Sequence, residues 1–286
     1  MTPPPSFETP PSFEALLPPT ERLVEQHIAT ARQLLGARAP ERAVEQLRAA
    51  LTLDPERAEA HALLALALSR LGRMEGALDE SLRALQHEPH SAWCHYIRGV
   101  VLSQAGRHKE GQTALESARA LAPYNASYAS TLALNFNAQD KPREAEAAAR
   151  EALNLDPGDE VAHAALGQAL LDLNRVPEAE IHFQSALRLD PDDADSHQGM
   201  ALWYLRAKRP DEAISAAREA LRLNPNHKGA QKVFVAAQGR KNLFFRLFWV
   251  WTLWITRFPP PVRIGIIFGL WGLSRVLDMW GAAHPQ

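Results

Sequence analysis

The chain has 286 residues, a formal net charge of −2 and one cysteine, Cys94, so no intrachain disulfide can staple it and a reducing compartment fits. Hydrophobic residues make up 46% and aromatics 7%, with alanine and leucine filling most apolar positions, a composition that favours closely packed helices over sheet. Charge is uneven: residues 228–286 hold eight Lys or Arg against the single acid Asp278, a net of +7, which leaves the body at −9 and a poor match for nucleic-acid phosphates.

Residues 1–20 are rich in Pro, Ser and Thr and repeat the phrase PPSFE at Pro4–Glu8 and Pro10–Glu14. Such a segment cannot bury enough apolar surface to offset its ordering entropy, so it reads as a disordered leader. The duplication also suits a short linear motif that presents Phe7 and Phe13 to a partner. The basic start and apolar run of a secretory signal are missing, so the body is expected in the cytoplasm.

From Glu21 to His227 a 34-residue period governs the chain. Prolines stand at 55, 89, 123, 157, 191 and 225. Setting them at position 32 gives units 24–57, 58–91, 92–125, 126–159, 160–193 and 194–227. Position 8 then holds Ala31, Ala65, Gly99, Ala133, Gly167 and Ala201, and position 27 is alanine in all six units. Small residues here let neighbouring helices approach closely. Position 11 carries the larger Leu34, Leu68, Leu102, Phe136, Leu170 and Tyr204. At position 15, Gly72, Gly106, Asp140 and Asn174 accept the left-handed conformation that ends a helix, whereas Arg38 and Lys208 depart from this pattern. Pro40, Pro142, Pro177 and Pro210 follow, suited to the first turn of a second helix. Each unit reads helix, turn, helix, stop.

These positions resemble tetratricopeptide repeats, six in register. The resemblance implies an all-α, right-handed solenoid of helical pairs, without enzymatic activity or cofactor, that binds a peptide segment of a partner protein along its first helices. Carrying the family's groove positions over residue by residue points to Leu66, Arg70, Trp93, Tyr96, Val100, Gln104, Ser130, Leu134, Asn137 and Gln168. The Lys, Arg and Asn cluster that grips a C-terminal carboxylate in some relatives is missing. Trp93 and Tyr96 centre an apolar groove, with Gln104, Asn137 and Gln168 placed to bond an extended backbone.

At position 4 the chain has His27, His61, His95, His163 and His197, with Ala129 the exception. A shared metal is disfavoured, because successive first helices lie about 10 Å apart while two imidazoles on one zinc need nitrogens within about 3–4 Å. The histidines read as amphipathic filler between helices. No phosphate loop, nucleophile elbow, paired-Cys spacing or His-Glu-x-x-His motif occurs in the sequence.

After Pro225 the repeat rule fails, because a seventh unit needs a small residue where Val235 stands. Residues 228–242 are expected to form a capping helix. Residues 243–281 then read as two apolar helices broken at Pro259–Pro261, followed by a short tail at 282–286. The uninterrupted runs, Leu247–Thr256 and Ile264–Ser274, are roughly 15 and 17 Å long at 1.5 Å per residue, short of the ~20 residues a span takes. A hairpin in one leaflet or a thin spanning pair is expected. Phe248, Trp249, Trp251, Trp254, Phe268 and Trp271 would sit in the membrane or its interface, and Arg257, Arg263 and Arg275 would reach headgroups. The competing reading is a surface for a homo-oligomer or a second protein.

Overall fold

The computed structural model describes residues 18–241, which form thirteen helices and no strand. They divide into two compact units, one ending at Asp192 and the other beginning at Asp193. The hairpin at 243–281, with its nine membrane-contacting candidates, lies outside the described residues, as does the PPSFE tandem. Among the described residues, no helix is long and apolar enough to cross a membrane.

The first unit holds five helical pairs: α1 (Pro19–Gly36) with α2 (Pro40–Leu53), α3 (Ala58–Arg70) with α4 (Met74–His87), α5 (Ala92–Gln104) with α6 (His108–Leu121), α7 (Ala126–Ala138) with α8 (Pro142–Leu155), and α9 (Glu160–Asp172) with α10 (Val176–Leu189). Within it each first helix packs on its own second helix and on the next first helix, α1 on α3, α3 on α5, α5 on α7 and α7 on α9. Second helices pack on the first helix that follows. The first helices therefore form one layer, and because every connection reverses the chain, they run parallel with their N-termini along one edge. The second unit is α11 (Ala194–Arg206), α12 (Pro210–Leu223) and α13 (Lys228–Lys241), held by Ala201, Leu205, Ala213, Ile214, Ala217, Val233 and Ala237. Val235 faces outward from α13, at 67% exposure.

The turn between paired helices corrects the sequence expectation at two positions. Left-handed backbone occurs at all six, Arg38 (φ 55°) and Lys208 (φ 62°) included, beside Gly72, Gly106, Asp140 and Asn174. The reason is a bond that spans the turn. The N–H of Ala39, Arg73, Arg107, Lys141, Arg175 and Arg209 donates to the carbonyl of Leu34, Leu68, Leu102, Phe136, Leu170 and Tyr204, each at 2.8–3.0 Å. This is the Schellman closure, and it needs its penultimate residue left-handed whatever the side chain.

Packing follows a size rule between the paired helices. The alanines at position 27 (Ala50, Ala84, Ala118, Ala152, Ala186 and Ala220) are fully buried. Where position 8 is glycine, the facing side chain on the second helix is large. A Cβ on Gly99 would meet Leu115 Cγ at 2.6 Å, and one on Gly167 would meet three Phe183 ring atoms at 2.9–3.0 Å. Where position 8 is alanine, the corresponding residue is Ser81, Ala149 or Ala217, Leu47 being the exception.

Candidate partner-binding face

The first-helix layer of the first unit carries the candidate groove. At the N-terminal end of α5, Trp93 and Tyr96 pack with ring centroids 5.5 Å apart and planes tilted 32°. Tyr96 in turn packs on Tyr128 of α7 at 5.0 Å and 31°. The three rings form a continuous ladder across two repeats. The Thr131 hydroxyl donates to the Tyr96 Oη at 3.5 Å and steadies its outer edge. Trp93 is 37% exposed, while Tyr128 is buried and anchors the inner end. That burial, with Tyr96 beside it, holds the Tyr128 phenol above its ordinary pKa. Offset aromatic pairs of this kind contribute about 0.5–1.5 kcal/mol beyond their burial, so the open ring of Trp93 is held by the ring beneath it.

The other candidates fall into three groups. Leu134 is 43% exposed on α7 and extends the apolar surface. Leu66 and Val100 are half-buried, Leu66 against the core between repeats, and Ser130 is buried with its hydroxyl donating to Ser127 O at 3.2 Å. The polar candidates are engaged within the fold. Arg70 donates to Leu35 O at 2.7 Å, which closes the C-terminus of α1, and Arg240 does the same for α11 through Leu205 O at 2.6 Å. Gln104 accepts from the Ser69 hydroxyl. Gln168 donates to Asp172 at 2.8 Å. Asn137 donates to Ala165 O at 2.8 Å, leaving its Oδ1 buried without a hydrogen-bond partner.

Sequence reasoning missed two members of this face, Tyr128 and Thr131. They stand at positions 3 and 6, which usually point into the core, so groove positions alone could not find them. The signal was a run of aromatics at Trp93, Tyr96 and Tyr128, which only the α5–α7 packing brings together.

The position-4 histidines are more than filler. His61, His95 and His163 each donate from Nε2 to the carbonyl of the position-32 proline of the preceding repeat, Pro55, Pro89 and Pro157, at 2.9–3.2 Å. Gln231 of α13 makes the same bond to Pro225 O at 3.0 Å. On the other side of the ring, Nδ1 meets position 23 of the repeat's own second helix: His27 with Gln46 at 2.8 Å, His61 with Glu80 at 2.6 Å, and His163 with His182 at 3.0 Å. At His61 and His163, which make both bonds, the ring thus clasps the inter-repeat stop to the helical pair. Its partner carboxylate raises the pKa of His61 above 6.5, Glu80 being the largest cause. Burial, then His163, lowers that of His182. Among the described residues no group of three or more His, Cys, Asp or Glu could hold a metal ion.

Helix pairs at a 34-residue period, with Schellman turns, small-residue contacts and proline stops, define an all-α helical-repeat protein. Tetratricopeptide-repeat models match residues 28–92, 136–202 and 194–227. The array is one of tetratricopeptide repeats, a class of protein-interaction scaffold. No curated protein matches the chain. Among solved structures, the APC/C hetero-tetramer Cut9-Hcn1 is 22% identical with a TM-score of 0.63, covering 76% of this chain and 44% of that one. This chain therefore spans less than half of that protein's length. PilF of Pseudomonas aeruginosa is 22% identical with a TM-score of 0.58, covering 74% of this chain and 97% of that one. At this identity the likeness is one of fold.

Proposed function

We propose that the protein is a non-catalytic scaffold that holds an extended segment of a partner protein on the Trp93–Tyr96–Tyr128 ladder, and that residues 243–281 tether it to a membrane with the repeats on the cytoplasmic side. The observation that carries the groove reading is the ladder itself: an open indole backed by two further rings, beside Arg70, Gln104 and Gln168, which are already hydrogen-bonded within the fold. Such a surface gains from covering an aromatic or proline side chain and pays little to desolvate. The tether is supported by the basic, Trp-rich sequence of the tail.

Two measurements test this reading. Trp93→Ala with Tyr96→Ala lowers capture of a partner recovered with the wild-type protein at least tenfold, the scale of a lost binding anchor. Undiminished capture refutes the groove. The full-length protein stays with membranes through high salt and carbonate, and is released by detergent. Release by salt or carbonate alone refutes the integral tether and favours a tail that joins copies of the chain or a second protein.

A further inference from the structure

Beside the aromatic ladder stands a carboxylate with no partner in the fold. At position 31 of the repeat, directly before the proline stop, the side chain usually closes the turn: Oδ1 of Asp54, Asp156, Asp190 and Asn224 accepts from the N–H two residues on, at 2.8–3.2 Å. In the second repeat that position is Glu88, the residue that ends α4. Its longer side chain makes no such bond, and among the described residues it pairs with no Lys or Arg. It is exposed, on the edge where α5 begins, five residues before Trp93.

A second carboxylate lies on the same side. Glu59 holds on α3 the position that Trp93 holds on α5, and the two helices pack together; it is ion-paired with the exposed Arg32. Both charges reach the first turn of α5: burial first, then Glu88 and Glu59, hold the Cys94 thiol above its ordinary pKa against a hydrogen bond with Ser91. The neighbouring cations are engaged elsewhere. Arg57 pairs with Glu25, Arg70 donates to Leu35 O, and Arg98 donates to Leu78 O and the Ser81 hydroxyl. The open indole of Trp93 thus stands in a negative field.

We propose that the partner segment carries an arginine next to the side chain that covers Trp93, its guanidinium lying against the indole and donating to the Glu88 carboxylate, with Glu59 adding attraction. This rests on the groove reading above and names the chemistry of its occupant. A planar guanidinium suits both halves of the site, because it stacks on an aromatic face and offers parallel N–H groups to a carboxylate. An acidic segment is repelled by Glu88 instead. The net charge of −9 before residue 228 acts in the same direction at longer range.

The test is fluorescence anisotropy of the full-length protein with three blocked, dye-labelled hexapeptides: PPWRPP and its counterparts with citrulline or glutamate in place of arginine. The arginine peptide is expected to bind about fivefold tighter than the citrulline peptide, the upper end of one exposed ion pair, and the glutamate peptide weakest. Glu88→Gln removes charge from an exposed, unbonded side chain and should bring the arginine and citrulline peptides to equal affinity; Glu88→Lys should reverse their order. The advantage of arginine should shrink when ionic strength is raised about tenfold. Equal affinities on the wild-type protein, or an arginine advantage that survives Glu88→Gln, overturn the proposal. The groove fails separately. Three peptides bound alike and lost together in Trp93→Ala with Tyr96→Ala keep the groove and remove the arginine, whereas binding that is absent, or indifferent to that double substitution, refutes the site and the proposal with it.

Discussion

Gly167→Ala is the sharpest probe of how the helical pairs are fitted. Alanine in mid-helix is worth about 1 kcal/mol over glycine from propensity alone. Here the new methyl would stand 2.9–3.0 Å from three atoms of the Phe183 ring, itself fully buried and unable to swing into solvent. Overpacking of this kind costs about 1–3 kcal/mol, so the net effect in the wild-type protein is a loss of about 1 kcal/mol. Phe183→Ala alone costs about 3–5 kcal/mol through its cavity. In that background Gly167→Ala should change sign, because the methyl enters space the ring has left and the propensity gain of about 1 kcal/mol stands alone. The two substitutions are therefore coupled by about 2 kcal/mol. Urea unfolding followed by far-ultraviolet circular dichroism reads this as shifts of midpoint at constant slope. If Gly167→Ala stabilises the wild-type protein as much as the Phe183→Ala variant, the position-8 size rule is wrong.

Two further predictions concern the turns and the histidine clasps. Arg38→Gly and Lys208→Gly each remove a left-handed residue that costs about 1–2 kcal/mol and add the entropy of glycine, about 0.5–1 kcal/mol; each should stabilise modestly in thermal unfolding, whereas Asn174→Ala should destabilise. For His61 the folded pKa is raised, so its contribution is fully present below pH 6.5 and is lost as pH rises through the folded value. The gap in melting temperature between wild type and His61→Gln should therefore narrow above that pH. His182 has the opposite sign: its pKa is lowered, so its contribution is present above pH 6.5 and is lost as pH falls below it. The gap between wild type and His182→Gln should narrow on acidification, and parallel pH profiles for the two variants would refute the assignment of their partners.

Much of the fold was legible because a repeat states its rule six times. Each small residue at position 8 or 27 is weak evidence alone, but the same residue at the same phase in every unit has no explanation besides helix contact. Arg38 and Lys208 were illegible because their side chains oppose the conformation they adopt. The turn bond to Leu34 and Tyr204 overrides that preference. The groove was only half legible. Trp93 and Tyr96 follow from phase, whereas Tyr128 joins them through packing between repeats. Arg70, Gln104 and Asn137 look free for a partner in sequence, yet each is engaged by a group 28–35 residues away.

The sequence by itself determined the period, the helical pairs, the stops and the small-residue contacts, because these depend on local conformation and on side-chain volume, both carried by single positions. Only the tertiary structure decided which polar groups are occupied, which aromatic rings touch, and that His61, His95 and His163 hold the proline carbonyls of the repeat before. Those are relations between residues of different helices, and their distances exist only once the helices are packed.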